Sequence, residues 1–314
     1  MLTITTLVFC AAVQAEVQAG KSKIVQTSLV GDELFVLRTD ATLSVYKREG
    51  KKARLVESGK IPVGGEFQYC RLKEGLAIWD KQGNLLKYDF SSRKTSKLLK
   101  GEPGDEIKRL TISDNLKYAA IQDSTGDIEI MDLSNRSTVV LFEQTESKSY
   151  PLGWSLEGKY FFMGNKDGDV TYYVIKDRRV QVPLETVSGD GFPIESLRVS
   201  GDGKMVVTMD SKNHIRVSNL ESKRQVLSVL DSKKKAKAVL FSSDSKHLIT
   251  PLEDGQVAVF DLSTKKRRTL DGVANAITFD TAGPWLICSS EFDISIVHIG
   301  GDEKSFKIAL AESK

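Results

Sequence analysis

The chain has 314 residues, 40% hydrophobic and 28% charged, which supplies apolar side chain for a large folded core and excludes an intrinsically disordered protein. Forty-five basic against 42 acidic residues leave a net charge of +3, too balanced for nucleic-acid or membrane binding through the overall field. The three cysteines, Cys10, Cys70 and Cys288, have no CxxC spacing and no neighbouring histidine, so neither a disulfide framework nor a zinc site is expected.

Residues 1–21 read as a leader. The stretch Leu7 to Val13 is apolar and ends in Val13-Gln14-Ala15, a small-residue pattern that signal peptidases accept, although no Lys or Arg precedes it. The run is too short to span a bilayer, so no transmembrane segment is expected. Export to a periplasmic or extracellular compartment is the favoured reading; the alternative is an extra N-terminal strand on a cytoplasmic chain. Ala15-EVQAGKS loosely matches a phosphate-binding loop. The adjoining segment, Lys23-IVQTSLV, reads as a strand and offers no helix N-terminus, so nucleotide binding is not expected there.

From residue 22 onward one unit recurs, in which a turn rich in Asp, Gly or Asn precedes an alternating β-branched strand. The copies are Asp40-ATLSVY, Gln82-GNLLKYD, Thr125-GDIEIMD, Asp167-GDVTYYV, Lys212-NHIRVSN, Asp254-GQVAVFD and Phe292-DISIVHI. With Ala41, Gly83, Gly126, Gly168, Asn213, Gly255 and Asp293 taken as equivalent, the steps are 42, 43, 42, 45, 42 and 38 residues, the period of a four-stranded propeller blade. Ser155-LEGKY, Ser200-GDGKM and Ser243-DSKHL add a second marker, each leading into an apolar strand.

The fifth unit displays four strands, a to d, as Ile194-ESLRV, Lys204-MVVTM, Ile215-RVSN and Gln225-VLSVL. Ile24 to Val30 supplies the first strand a and Ser305 to Leu310 the last strand d. The spacing therefore predicts an all-β chain, a seven-bladed β-propeller of four-stranded antiparallel blades over residues 22–314.

This pattern resembles the WD40 repeat family across nearly the whole chain, with Tyr88-Asp89, Met131-Asp132 and Phe260-Asp261 standing where that family has its Trp-Asp pair. No Gly-His dipeptide opens any unit and no true Trp-Asp ends these strands, so the family's His, Ser/Thr, Asp and Trp network is absent. The resemblance implies a propeller whose loops recognise protein.

Chemistry-bearing residues are sparse. Asn165-KDGD spaces oxygen-bearing side chains as a calcium loop would, but Val170 takes the glycine position and Lys176 the glutamate position, which leaves a tight hairpin turn. His214, His247 and His298 fall on separate blades with no paired spacing, and no nucleophile elbow is present. No catalytic residue, cofactor or metal is assigned.

Charge placement carries more information. The c–d hairpins Lys47-REGKKAR, Arg93-KTSK, Lys176-DRR, Lys223-R and Lys265-KRR are basic, whereas the b–c turns carry Asp40, Asp127, Asp167, Asp169, Asp254 and Asp293. Contacts with an anionic partner would fall on Lys47, Arg48, Lys51, Lys52, Arg93, Lys94, Arg178, Arg179, Lys265, Lys266, Arg267 and Arg268. The plainer account is that lysines beside an outermost strand prevent edge-to-edge pairing. Lys233-KKAK lies on the opposite face, and no aromatics interleave with it, so nucleic acid is not expected.

The reading that results is a non-catalytic protein-interaction scaffold on a WD40-like propeller, with a protein partner. The alternatives are an exported propeller enzyme of hydrolase or lactonase type, for which Asp167, Asp169 and Asp254 are the suggestive acids, and an anion-binding module using the c–d hairpins.

Overall fold

The computed structural model describes residues 10–12, 22–72, 74–81, 83–101, 107–143, 151–155, 158–177, 179–180, 185–187, 189, 191–230, 235–270, 276–300 and 306–311. Its elements are strands, grouped into seven four-stranded antiparallel blades, the architecture of a seven-bladed β-propeller. No helix among the described residues is long and apolar enough to cross a membrane.

The chain forms two compact units. One holds blade 1, blade 6 and blade 7. Strands a to d of blade 1 are Ile24–Val30, Glu33–Arg38, Thr42–Glu49 and Lys52–Lys60. Blade 6 is Leu240–Phe241, His247–Pro251, Val257–Asp261 and Arg267–Leu270. Blade 7 is Thr278–Ala282, Trp285–Ser289, Ile294–His298 and Phe306–Ala311.

Alternation of side chains along a strand gives each blade two apolar faces, and a flat sheet can bury both only by stacking between neighbours. Blades 7 and 1 do this through Ile24, Leu34, Val36, Ile287, Ile294 and Ile296. Their outermost strands also join directly, since Ala309, Leu310 and Ala311 pair in parallel with Lys52, Ala53 and Arg54. Leu55 and Leu310 pack on the same core, which explains why the last strand leaves its own blade's register to reach this edge.

The second unit holds blades 2 to 5. Blade 2 is Phe67–Leu72, Gly75–Asp80, Leu85–Asp89 and Thr95–Leu99. Blade 3 is Ile107–Ile112, Tyr118–Asp123, Ile128–Asp132 and Ser137–Phe142. Blade 4 is Leu152–Trp154, Tyr160–Gly164 and Val170–Lys176, with a broken fourth strand of Arg179–Val180 and Glu185–Val187. Blade 5 is Ile194–Val199, Met205–Asp210, His214–Asn219 and Gln225–Leu230, within a residue or two of the predicted strands.

Three apolar layers hold these four blades together: Leu85, Leu110 and Ile112 between blades 2 and 3; Tyr118, Trp154 and Phe161 between 3 and 4; Phe162, Ile194 and Leu197 between 4 and 5. Phe161 and Phe162 are fully buried, and each contributes on the order of 2 kcal/mol by leaving water. Blades 4 and 5 approach so closely at Gly153 that a Cβ there would lie 2.8 Å from Leu197 Cδ2.

In this unit the short strand Cys10–Ala12 pairs antiparallel with strand a of blade 2, Cys10 opposite Cys70. The remainder of residues 1–21, including the loose phosphate-loop match up to Lys21, lies outside the described residues.

Six of the seven positions predicted to be equivalent in the b–c turns have the left-handed backbone that such turns require: Ala41, Gly83, Gly126, Gly168, Asn213 and Gly255, with φ from 62° to 103°. Asp293 does not. Its turn is closed instead by Ser290 N–H to the Asp293 carbonyl and Asp293 N–H to Ser290 Oγ.

Candidate interaction face

Antiparallel order places the a–b and c–d loops of every blade at one end of its strands, and the b–c turns at the other. The a–b loops of blades 3 to 6 are copies of one clamp. In Ser113-DNLKY, Ser155-LEGKY, Ser200-GDGKM and Ser242-SDSKH, the serine Oγ accepts the N–H five residues on at 2.9 to 3.0 Å. In blades 3, 5 and 6 the same hydroxyl donates to Asn115, Asp202 and Asp244, two residues on, at 2.6 to 2.8 Å. Those side chains in turn accept the N–H of Lys117, Lys204 and Lys246.

The turn is thereby tied to its own side chains, and the lysine beside the clamped N–H stands out at the same position in each blade. The structure corrects the predicted marker twice: the repeat's serine in blade 6 is Ser242 rather than Ser243, and blade 3 carries a fourth copy at Ser113. Lys117 and Lys159 lie over the rings of Tyr118 and Tyr160, at 5.1 and 5.0 Å from the ring centres.

The c–d hairpins share a second device. Asp89, Asp132 and Asp261, which occupy the place of the Trp-Asp aspartate, accept backbone N–H groups two or three residues on, from Ser92, Ser134, and both Ser263 and Thr264. Asn219 does the same in blade 5 with Glu221 and Ser222. The Ser92 N–H, with the Lys87 ammonium, pulls the Asp89 carboxyl down to about 2. The Thr264 N–H, with the Ser263 hydroxyl, likewise holds Asp261 far below the usual carboxylate range. Four residues after each of these caps comes Arg93, Arg136, Lys223 or Lys265 with φ from 55° to 60°. The cap thus forces a basic side chain into a left-handed position at the tip.

The predicted anionic-partner contacts divide. Lys47, Lys51, Lys52, Lys94, Arg179, Lys265 and Lys266 are exposed. Arg93 is half-buried and Arg178 lies outside the described residues. Arg267 is exposed as well, whereas Arg48 and Arg268 are partly buried. Arg48 faces Asp32 at 3.8 Å, Arg267 lies over the Phe260 ring at 5.7 Å, and Arg268 donates to the backbone carbonyls of Gly300, at 2.5 Å, and Ile299. Protection of a bare edge does not explain the lysines of blade 1, because the last strand of the chain already covers its outermost strand there.

On the opposite end, acids close turns. Asn165 Oδ1 accepts the N–H of Asp167 and Asp169, the tight hairpin expected of Asn165-KDGD. Asp169 also accepts from Gly189 N–H, and Asp254 from Gln256 N–H. Among the described residues no three His, Cys, Asp or Glu side chains are placed to hold a metal. His214 meets Ser228 Oγ at 2.7 Å, His247 lies 3.9 Å from both Asp244 and Asp261, and His298 stands edge-on to Trp285 at 4.8 Å. Lys233 and Lys234 lie outside the described residues; Lys237 donates to the carbonyls of Pro251 and Ala276.

No protein-family model matches the chain, and no curated protein is detectably similar to it in sequence. Among solved structures it is similar to a chain of the crystal structure of the mitotic checkpoint complex, with 14% sequence identity over 77% of this chain and 76% of that one, at a TM-score of 0.55. At that identity the likeness is one of fold, and it is the propeller fold that the strand pairing displays.

Proposed function

We propose that this protein is a non-catalytic docking platform for protein, engaged through the a–b and c–d end of blades 3 to 5. The observation that carries the reading is the clamp repeated in blades 3, 4 and 5, which presents Lys117, Lys159 and Lys204 on backbones fixed by the same serine hydrogen bond. Loops ordered in advance lose little conformational entropy on binding, which favours recognition by a rigid surface. Similarity to a chain taken from a multiprotein complex is consistent with the same role.

Lysine-directed cross-linking of the protein in its native host, read by mass spectrometry, tests the proposal. Links to partner proteins should concentrate on these three lysines, and those at Lys117 should disappear when Lys159 and Lys204 are changed to Glu. Links confined to the b–c turns, or turnover of ester or lactone substrates by the purified chain, would overturn it. Export is part of the proposal, and an intact mass that starts near Glu16 is its signature; retention of the Cys10–Ala12 strand would count against it.

A further inference from the structure

Blades 4 and 5 part at their a–b and c–d end to leave a groove of about 450 Å³, lined by Tyr160, Phe162, Tyr172, Lys204, Leu220 and Glu221. Its origin lies in strand alternation. Residues 160, 162 and 164 of strand b face blade 5, and Tyr172 stands opposite Phe162 on strand c. Phe162 and Tyr172 stack at 5.7 Å and are buried, whereas Tyr160, set edge-on to Tyr172 at 6.2 Å, is only partly covered. The Tyr172 hydroxyl reaches the Leu220 carbonyl at 3.5 Å and closes the floor. Leu220 is also partly covered, so the groove has an aromatic floor and an aliphatic lip open to solvent.

The rim is basic. Lys159 lies over Tyr160, Lys204 lines the groove itself, and Lys223 with Arg224 stands on the blade-5 hairpin; Glu221 is the opposing charge there, and the carboxylate of Asp202 is engaged by the Ser200 hydroxyl and the Lys204 N–H. An apolar floor within a positive rim matches a segment of opposite pattern.

We propose that this groove seats one bulky apolar side chain of an acidic partner peptide, with flanking Asp or Glu residues meeting Lys159 and Lys204. The inference rests on the docking-platform reading and specifies its partner. Burial of such a side chain supplies affinity, and the two lysines favour acidic over basic segments.

Panning a phage library of random 16-residue peptides on the full chain tests the groove, with affinities of the selected peptides measured by fluorescence anisotropy. The expected consensus is an aromatic or large aliphatic residue flanked by Asp or Glu. Leu220→Glu should weaken binding at least about tenfold and Lys204→Glu about threefold, while Lys212→Glu, in the exposed b–c turn at the opposite end of blade 5, leaves it unchanged. Lys204 is exposed, so its variant remains informative if Leu220→Glu fails to fold. Selected peptides that bind equally well to both groove variants would overturn the groove and leave the platform reading standing. Basic selected peptides would also overturn the groove. Failure to select any peptide, together with an absence of cross-linked partners, would overturn both.

Discussion

Arg216 and Asp210 form an ion pair inside blade 5, Nη2 to Oδ2 at 2.9 Å, with side-chain exposures of 8% and 2%. Asp210 ends strand b, Arg216 lies in strand c, and the other carboxylate oxygen of Asp210 accepts the N–H groups of Lys212 and His214 in the turn between them. One carboxylate therefore fixes both the turn and the strand that leaves it. Loss of one partner strands the other charge away from water, at a cost of about 3 kcal/mol. Arg216→Met and Asp210→Asn should each lower the unfolding free energy measured by urea titration by an amount of that order, and the double variant should recover part of the loss. Single variants within about 0.5 kcal/mol of the parent would refute the assignment.

The serine clamps predict a repeated, additive loss. Replacing Ser113, Ser155, Ser200 or Ser242 by Ala leaves the N–H of Tyr118, Tyr160, Met205 or His247 without its acceptor. Each change should cost about 1 kcal/mol, and pairs in different blades should sum, because the clamps share no partner. Chemical denaturation of the four single variants and two double variants measures this. Ser243→Ala, one residue off the clamp, is the control and should be nearly neutral.

How far the sequence discloses this molecule depends on how local the cause is. The b–c turns are legible because a left-handed backbone selects Gly or Asn at a fixed step, and the spacing of those residues predicts the blades. The pairing of Ala309–Ala311 with Lys52–Arg54 has no such signature, since it joins segments from opposite ends of the chain through packing of Leu55 and Leu310. The Ser242-Ser243 doublet offers two equivalent hydroxyls, and only the hydrogen bonds distinguish them. Arg48 and Arg268 look like their exposed neighbours until the groups they reach are known. The groove is hidden for a similar reason: Tyr160, Phe162 and Tyr172 read as ordinary core positions of alternating strands.

Backbone strain offers a stabilising prediction. Ala41 is buried with φ of 62°, a conformation that costs an L-residue about 1 kcal/mol. Ala41→Gly removes that strain but loosens the unfolded chain, so the expected net gain is about 0.5 kcal/mol, seen as a small rise in the thermal midpoint. Ala41→Val adds a β-branched side chain at the same backbone and should lose more than about 2 kcal/mol. Reversed signs would mean that Ala41 is not left-handed.

Acid stability should depend on the hairpin caps. The Asp89 carboxyl sits near 2 when folded, against an ordinary value of 3.8, because the Ser92 N–H and the Lys87 ammonium favour its charged form. A depressed folded value contributes stability that is fully present above the ordinary value and is lost as pH falls through the folded one. The thermal midpoint should therefore be level from neutrality to about pH 5 and decline between about pH 4 and pH 2. Asp89→Asn keeps an acceptor for the turn but no longer titrates, so it should flatten part of that decline. An unchanged acid slope in the variant would remove Asp89 from the account.

The cysteines test the core directly. Cys70 is fully buried in blade 2 and Cys288 almost fully in blade 7, where burial pushes its thiol well above the usual range. Thiol reagents attack the thiolate, so both positions need an opening event before they react. Under native conditions, peptide mapping after treatment with iodoacetamide should find Cys70 and Cys288 unmodified, and both should label once denaturant passes the unfolding midpoint. Because the two cysteines sit in different compact units, their labelling rates report the opening of each. The expected outcome is slow labelling at both, with rates that converge as denaturant rises. Rapid native labelling of Cys288 would show that the face of blade 7 opposite Ile287 does not exclude solvent.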